Sequence, residues 1–546
     1  MTNLQSNLKI LAKHKPETYH LISGSLPSPE VKMVLSKTGH PIPVVAGKAL
    51  HSTYDPVREG NRFPSMYQPD GFIIFFGLGS GYHIRPFLDK ESVSGILIIV
   101  ESIPVFRAML EITNLQEILS SPVIQFILGP SADVLRNTVL SNYLPVLHGT
   151  LRTVPLRPAV KMAESFFRSA AKTVEEALAY HKKDYAVQSH FGLAWFRNIV
   201  KNFSVSHAKS STVHPLIDRN KIREVIITAA GPTLEKNLSR LKARGQNGFL
   251  IATDTSLPAL LSAGISPGLV ITMDCQFYSV HHFLKPASRK VPLFADGAVH
   301  PLIIRRSRTV TLFNGGHPLL NYFSRNFVPM LQIDTSGGNI TQTALSAAEL
   351  FAPEEVIVYG ADFGYPGGKP YARETYLYRY FAGIKTRVKP EESMWFNLLM
   401  DQGAWREPES KDNFYTTPIM SDYHQRFKTF AGTLGTNTVR RITERGDEII
   451  PASGKIKKKK VPDSEINGKT SRKFLLDYLE KIRSLPLPDL NQIHQNSETE
   501  KVWTTLLPLA AYRKKYSGIE NREELLKEVR KEAAGIIENY LNTTPA

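Results

Sequence analysis

Residues 222–234 read IREVIITAAGPTL, and this stretch decides the fold. The segment Ile222–Thr228, with its apolar centre Val225–Ile227, has the length of a strand. Gly231-Pro232 stops it and opens a helix with Leu234, Leu238 and Leu241 on one face, closed by Gly245. The same pattern recurs downstream. FLIATDT at 249–255, LVITMDC at 269–275 and VIVYGAD at 356–362 each carry a strand toward an aspartate. Pro258–Ala263 and Ile340–Leu350 are predicted helices between them. Strands alternating with helices imply an α/β fold with a parallel sheet.

In an open parallel sheet the carboxyl ends of the strands share one edge, and ligands bind in the crevice there. The residues placed at that edge are therefore the candidate nucleotide-binding set. Gly231, Pro232 and Thr233 would aim helix amides and a hydroxyl at a phosphate. Asp254, with Thr255, Asp274 and Asp362 each follow a strand; Asp254 also suits a helix cap, and Asp362 a turn. Ser336 and Gly337, in Asp334–Asn339, offer hydroxyls and amides at a second helix start. Tyr365 and Tyr371 flank the loop Pro366-Gly367-Gly368-Lys369-Pro370 and could hold two phenols over a ligand, or pack at its rim.

Upstream, GFIIFFGLGSGYH at 71–83 is a buried strand entering a glycine-rich turn. A short helix containing Pro86, a strand Ile96–Val100 ending at Glu101, a helix Pro104–Leu115 and a strand Val123–Leu128 follow. The turn with Glu101 looks like a nucleoside-binding corner with a ribose-binding acid, but a lone glycine-rich turn is a weak signal and a structural turn is the favoured reading. Residues 158–205 have helical spacing, as do two segments beyond 471, around Phe474–Ile482 and Glu523–Leu541. The boundaries expected are an N-terminal Rossmann-like domain at 1–155, a helical connector at 156–215, a central α/β domain at 216–450, a basic linker at 451–470 and a C-terminal helical region at 471–546.

Composition narrows the function classes. Among 546 residues, 42% hydrophobic and 21% charged residues are ordinary globular usage. The one cysteine, Cys275, excludes an intramolecular disulfide framework. Met1–His20 has no apolar core of the kind a secretory leader carries, and no apolar run approaches the ~20 residues of a membrane span, so a cytoplasmic location is expected. The net charge of +17 favours anionic partners. Its densest run, Lys455–Lys460, is expected to be a solvated loop. No nucleic-acid-binding module, P-loop or metal-binding motif is present, so no nucleic-acid partner and no metal site are read from the residues.

Several motifs in order resemble the Maf (motility-associated factor) flagellin glycosyltransferases, which share a domain with 6-hydroxymethylpterin pyrophosphokinases. They are Leu50-His51-Ser52-Thr53-Tyr54-Asp55-Pro56, Phe76–His83, Ala230–Leu234, Ala252–Thr255, Gly264–Pro267 and Gly360–Phe363. The central region is also similar to bacterial sialyltransferases that use CMP-sialic acid. The shared features are the Gly231–Leu234 turn, Ser336-Gly337, Gly360–Phe363 and the pair Tyr365 and Tyr371. That resemblance implies a sialyltransferase-like central domain in which Ser336 and the first turn hold the nucleotide. The two tyrosines would steady the departing CMP phosphate. A general-base histidine downstream would correspond to His424. Where those enzymes carry asparagine, this chain has Ala230, Asp254 and Asp274.

The function expected is transfer of a nonulosonic (sialic-acid-like) sugar from a CMP-linked donor to Ser or Thr of flagellin, with the nucleotide sugar as co-substrate and no further cofactor. Two alternatives stand beside it. One is an ATP-dependent hydroxymethylpterin pyrophosphokinase, with Asp254, Asp274 and Asp362 on Mg²⁺. The other is a non-catalytic module that binds a flagellar protein. The sequence leaves the oligomeric state open.

Overall fold

The computed structural model describes residues 2–205, 222–244, 247–407, 413–444, 446–454, 468–488 and 498–543. Gly245 and the Lys455–Lys460 run, with most of the expected basic linker, lie outside the described residues. The chain divides into two compact units. The first is Met1–Gly192 with Leu485–Trp503 and Leu507–Val529; the second is Leu193–Ser484 with Thr504–Leu506 and Arg530–Ala546.

The first unit is built on four parallel strands, Ile124–Leu128, Val93–Val100, Gly71–Phe76 and Leu151–Pro155 in spatial order. Counted along the chain this is third, second, first, fourth, the order of half a Rossmann sheet. Gly71–Phe76 and Val93–Val100 are buried along their whole length, which is why they read as unbroken apolar runs. A short 3₁₀ turn at Arg85–Phe87 stands where the helix with Pro86 was expected. The helix of the following crossover is Ile103–Ile112, opened by the Ser102 hydroxyl, which accepts the Val105 amide.

The second unit carries a nine-stranded sheet. In order across it run Leu331–Gln332, Val310–Asn314, Leu293–Asp296, Leu269–Thr272, Phe249–Thr253, Glu224–Thr228, Glu355–Tyr359, Thr438–Thr443 and Gly446–Pro451. All neighbours are parallel except the last pair. Alternate residues of each strand face opposite layers. Ile227, Ile251, Ile271, Phe294 and Phe313 pack with the helices Ile340–Ala348 and Pro418–Thr433. On the other face, Ile226, Ala252, Val270 and Leu293 pack with the helices Thr233–Arg244, Leu257–Ser262 and Pro301–Arg306. The fold is α/β, with helices on both faces of the sheet.

Expected elements recur with shifted ends. The helix from Ile340 stops at Ala348 and tightens into a 3₁₀ turn at Glu349–Phe351, closed by Ala352 in a left-handed conformation. Helix covers Arg157–Met162 and then Glu164–Val205 without a further break. The tail is helical at Gly468–Arg483, Glu498–Ser517 and Arg522–Thr543. Among the described residues no helix is long and apolar enough to cross a membrane.

Phe294 is 1% exposed, with its ring centroid 4.8 Å from that of Phe313. Truncation there leaves a cavity in the central layer, so Phe294→Ala should cost about 3–5 kcal/mol in chemical unfolding of the second unit. A loss under 1 kcal/mol would show that this layer is not close-packed.

Candidate active site

The helix expected to bind phosphate first is already capped from within the protein. Asp362 sits just past the end of Glu355–Tyr359, and its Oδ2 accepts the Thr233 amide at 2.9 Å. Its Oδ1 accepts the Thr233 hydroxyl at 2.5 Å. The Leu234 and Glu235 amides donate to the carbonyls of Gly231 and Pro232, and the Gly231 amide to that of Gly360. These amides are therefore not free for a ligand, which corrects the expectation for Gly231, Pro232 and Thr233. A carboxylate has taken the anion's place at the positive end of the helix. Gly231 is required here, because a Cβ would overlap the Asp362 carboxylate. Burial pushes the Asp362 pKa up, while the two Thr233 bonds and the Arg441 charge pull against that.

Asp254 and Asp274 stand just past the ends of two neighbouring parallel strands, Phe249–Thr253 and Leu269–Thr272. Asp254 is buried and accepts from the Thr255 amide at 2.7 Å, the Thr255 hydroxyl at 3.1 Å and the Thr272 hydroxyl at 2.7 Å. Asp274 accepts the Gln276 amide at 2.9 Å. Tyr371 and Tyr376, from the segment that follows Asp362, lie within electrostatic reach of these carboxylates. Burial pushes the Tyr371 phenol up to about 12, reinforced by Tyr365, Tyr376 and Asp254 nearby. Tyr376 is raised by burial and by the negative field of Asp274. Tyr365 is raised by burial and donates its hydroxyl to Gln402 Oε1 at 2.9 Å. Phenols held this way stay protonated and remain hydrogen-bond donors at neutral pH.

Two histidines complete the group, and sequence reasoning passed over both. The His281 ring stacks on Tyr376 at 5.5 Å, and His282 meets Tyr376 edge-on at 4.9 Å. Burial holds the His282 pKa down, opposed by the charges of Asp254 and Asp274. No motif surrounds these residues; their only signal was position just downstream of Asp274.

The Asp334–Asn339 segment adjoins the same edge. Asn339 caps the helix Ile340–Ala348 by accepting the Gln342 amide at 2.9 Å. Thr343 in that helix donates its hydroxyl to the Met273 sulfur at 3.2 Å, which fixes the helix start beside Asp274. The Ser336 amide donates to Asp334 at 2.8 Å, and Gly337 packs against the Gln342 amide group. Asp296 is a strand-end carboxylate that the sequence reading missed. It accepts the amides of Ala298 at 2.7 Å and Gly315 at 2.9 Å and lies 3.3 Å from His317 Nε2. The strand LFAD at 293–296 ends as its neighbours do, which was the available signal.

With this geometry in hand, comparison with known proteins places the chain. Residues 197–368 match the family described as MptE-like: 6-hydroxymethylpterin diphosphokinase MptE-like. A solved structure, the Maf glycosyltransferase from Magnetospirillum magneticum AMB-1, superposes with a TM-score of 0.57 over 99% of this chain and 95% of that one, at 14% identity. This chain has the Maf glycosyltransferase fold, with an MptE-like domain within it. Two proteins of Treponema pallidum (strain Nichols), both described as uncharacterized, are also similar. One is 27% identical over 146 residues, 26% of this chain and 68% of that protein. The other is 35% identical over 118 residues, 21% of this chain and 40% of that protein. The MptE-like match holds Asp254, Asp274, His282, Ser336, Asp362 and Tyr365; Tyr371 and His424 lie beyond it.

His424 is poorly suited to the base role expected of it. It stacks on Phe363 at 5.3 Å, next to Asp362 at the edge of the MptE-like match. Arg441 Nη2 lies 3.0 Å from its Nε2, so the arginine occupies that lone pair. Burial, with the charges of Arg441 and Lys428, pushes its pKa down to about 4. A ring so weakly basic, already bonded to a cation, cannot efficiently take a proton at neutral pH.

The glycine-rich turn of the first unit is also filled from within. His51 Nε2 accepts the Ser80 amide at 3.0 Å, and a Cβ on Gly79 would overlap the His51 ring. The ring covers the face that Gly79 leaves open. Glu101, at the next strand end, is raised by burial.

Beside His424, Glu448 accepts from Arg441 Nε at 2.6 Å and pairs with Lys428 at 2.8 Å. Despite opposing burial, these cations hold its pKa down to about 2. Its stabilising contribution is therefore complete above the ordinary carboxylate value near 4.5 and is lost as pH falls from there toward 2. Glu448→Gln should lower the melting temperature at pH 7 and narrow the gap to wild type as pH falls through that window. A gap unchanged down to pH 3 would contradict the assignment.

Proposed function

We propose that this chain is a glycosyltransferase that moves a nonulosonic sugar from a CMP-linked donor to a serine or threonine hydroxyl of flagellin. The observation that carries this reading is the grouping of Tyr371, Tyr365 and Tyr376 with Asp254 and Asp274 beside the Ser336 helix start. The fold of a Maf glycosyltransferase supports it.

The reaction is a substitution at the anomeric carbon through an oxocarbenium-like transition state. As the bond to CMP breaks, negative charge grows on the phosphate and positive charge on the sugar ring. Tyr371 supplies a neutral hydroxyl donor for the phosphate and adds no charge of its own, while Tyr365, whose hydroxyl donates to Gln402, backs it from within the protein. With the Thr233 helix closed by Asp362, the phosphate is met at the helix Ile340–Ala348. There the Asn339 side chain caps the helix by accepting the Gln342 amide, and a helix start of this kind offers its first-turn amides to an anion. The basic surface favours a donor that carries both a phosphate and a sugar carboxylate.

Titration calorimetry with CMP tests the reading. Wild type should bind, Ser336→Ala should weaken binding, and Tyr371→Phe should hold CMP within about threefold while lowering kcat by ~10²-fold. Absence of CMP binding to wild type removes the proposal.

A second reading has one observation in its favour, the diphosphokinase description of the family matched by 197–368. It asks for Mg²⁺ on Asp254, Asp274 and Asp362. Among the described residues, no three His, Cys, Asp or Glu side chains gather as a set that could hold a metal ion. Asp362 is engaged with Thr233. Magnesium-dependent ATP binding that exceeds CMP binding would favour this reading.

A further inference from the structure

The strand Val31–Leu35 belongs to a three-stranded antiparallel sheet of the first unit, with Pro41–Val45 and then Lys48–Ala49 beside it. It stands at the edge, and its apolar side chains are left uncovered. Met33 is 52% exposed, Leu35 65% and Val34 39%. Successive side chains of a strand point to opposite faces, so both faces of this one meet solvent.

Its backbone is open as well, and two prolines show which groups. Met33 lies opposite Pro43, and Leu35 opposite Pro41. In an antiparallel ladder, opposed residues alternate between pairs that exchange both N–H···O bonds and pairs that exchange none. A proline has no N–H to exchange. The Pro43 carbonyl, moreover, accepts the Leu50 amide on its other side. Lys32 and Val34 therefore hold the ladder to Val44 and Ile42, and the N–H and C=O groups of Met33 and Leu35 point out from the sheet. Among the described residues no hydrogen bond meets them. The opening has two ends. The Val31 N–H is taken by the Ser28 carbonyl at 3.2 Å, and the Lys37 N–H by the Thr53 carbonyl at 3.0 Å. The gap between them has the length of Val31–Leu35 itself.

An exposed apolar edge is a template for another strand, and natural proteins blunt such edges with charge, proline or a bulge. Val31–Leu35 has no proline and no bulge, and Lys32 is its one charge. The sequence VKMVL is complementary to itself. Laid antiparallel on a second copy about a two-fold axis at Met33, Met33 faces its own copy, Val31 faces Leu35, and Lys32 faces Val34. Apolar side chains then stand across from apolar ones on one face. On the other, each lysine stands across from a valine, so like charges are never directly opposed. The outward backbone groups fall into register too. Each Met33 N–H donates to the other copy's Met33 carbonyl, and each Leu35 N–H to the other copy's Val31 carbonyl.

We infer that Val31–Leu35 pairs with the same strand of a second copy, joining two chains in a symmetric dimer through one continuous sheet. A ladder this short covers less than a standard interface of about 1,600 Å², so a Kd in the micromolar range is expected. The pairing uses the first unit alone and is independent of the transfer reading.

Sedimentation equilibrium of the full chain, from about 1 to 200 μM, spans that range. Wild type should pass from monomer to dimer. Met33→Pro removes an outward donor and spares the ladder to Pro41–Val45, while Leu35→Lys sets a charge beside the axis. Each should weaken dimerisation by ~10-fold or more at an unchanged melting temperature. Cross-linking tests the register, since Cys275, the one native cysteine, is buried. Across the axis the Met33 Cα atoms would lie ~5.5 Å apart, within disulfide reach, and those of Val31 more than ~10 Å apart. Mild oxidation should therefore link Met33→Cys and spare Val31→Cys. Wild type that is monomeric throughout overturns the inference. So does a dimer that Met33→Pro and Leu35→Lys both leave intact, and so does equal cross-linking of the two cysteine variants. Monomeric wild type in which added flagellin slows hydrogen exchange at Met33 and Leu35 gives the edge to a different polypeptide, and overturns the second copy as its occupant.

Discussion

The bonds from Thr233 to Asp362 close the helix start at the middle of the second unit's sheet. A helix start at a strand end is an anion site by default, because its first amides point outward and the backbone dipoles add there. Here a carboxylate from the neighbouring strand takes both the amide and the hydroxyl of Thr233. That clasp ties the end of Glu355–Tyr359 to the helix Thr233–Arg244 at the middle of the sheet.

Much of this architecture was legible in the sequence where strands are apolar and end in Gly or Asp. Glu224–Thr228, Phe249–Thr253, Leu269–Thr272 and Glu355–Tyr359 form the centre of the sheet, are buried on both faces, and read as continuous hydrophobic runs. The outer strands were not legible for the converse reason. Val310–Asn314 carries Thr311 and Asn314, Leu331–Gln332 is two residues long, and Thr438–Thr443 includes Arg440 and Arg441. Polar residues that find partners there, Asn314 with Asn321 and Arg441 with Glu448, interrupt the apolar run, and the period dissolves. The site followed the same division. Aspartates at strand ends announce themselves by place, and the tyrosines by their glycine-rich loop. The Asp362 clasp could not be read, because it pairs residues 129 apart. Nor could the state of His424, which depends on Arg441 from an outer strand.

A shared fold at 14% identity says where loops are, not what they hold. The parallel sheet gathers strand ends along one edge, and under the proposed transfer a handful of side chains there would decide the reaction. In this chain those side chains combine acidic strand ends with neutral phenols. A simple phosphate cradle would present cations and amides instead. The combination suits a substrate in which opposite charges develop a few bonds apart.

The closed glycine turn of the first unit has its own consequence. With His51 seated against Gly79 and bonded to Ser80, the turn has become an internal rivet between an N-terminal segment and the sheet. A signature usually taken as an address for dinucleotides serves here as masonry. Any guest there would first have to evict a histidine wholly enclosed by its own unit. Kinship inferred from such a signature therefore reports ancestry of the backbone and says nothing about cargo.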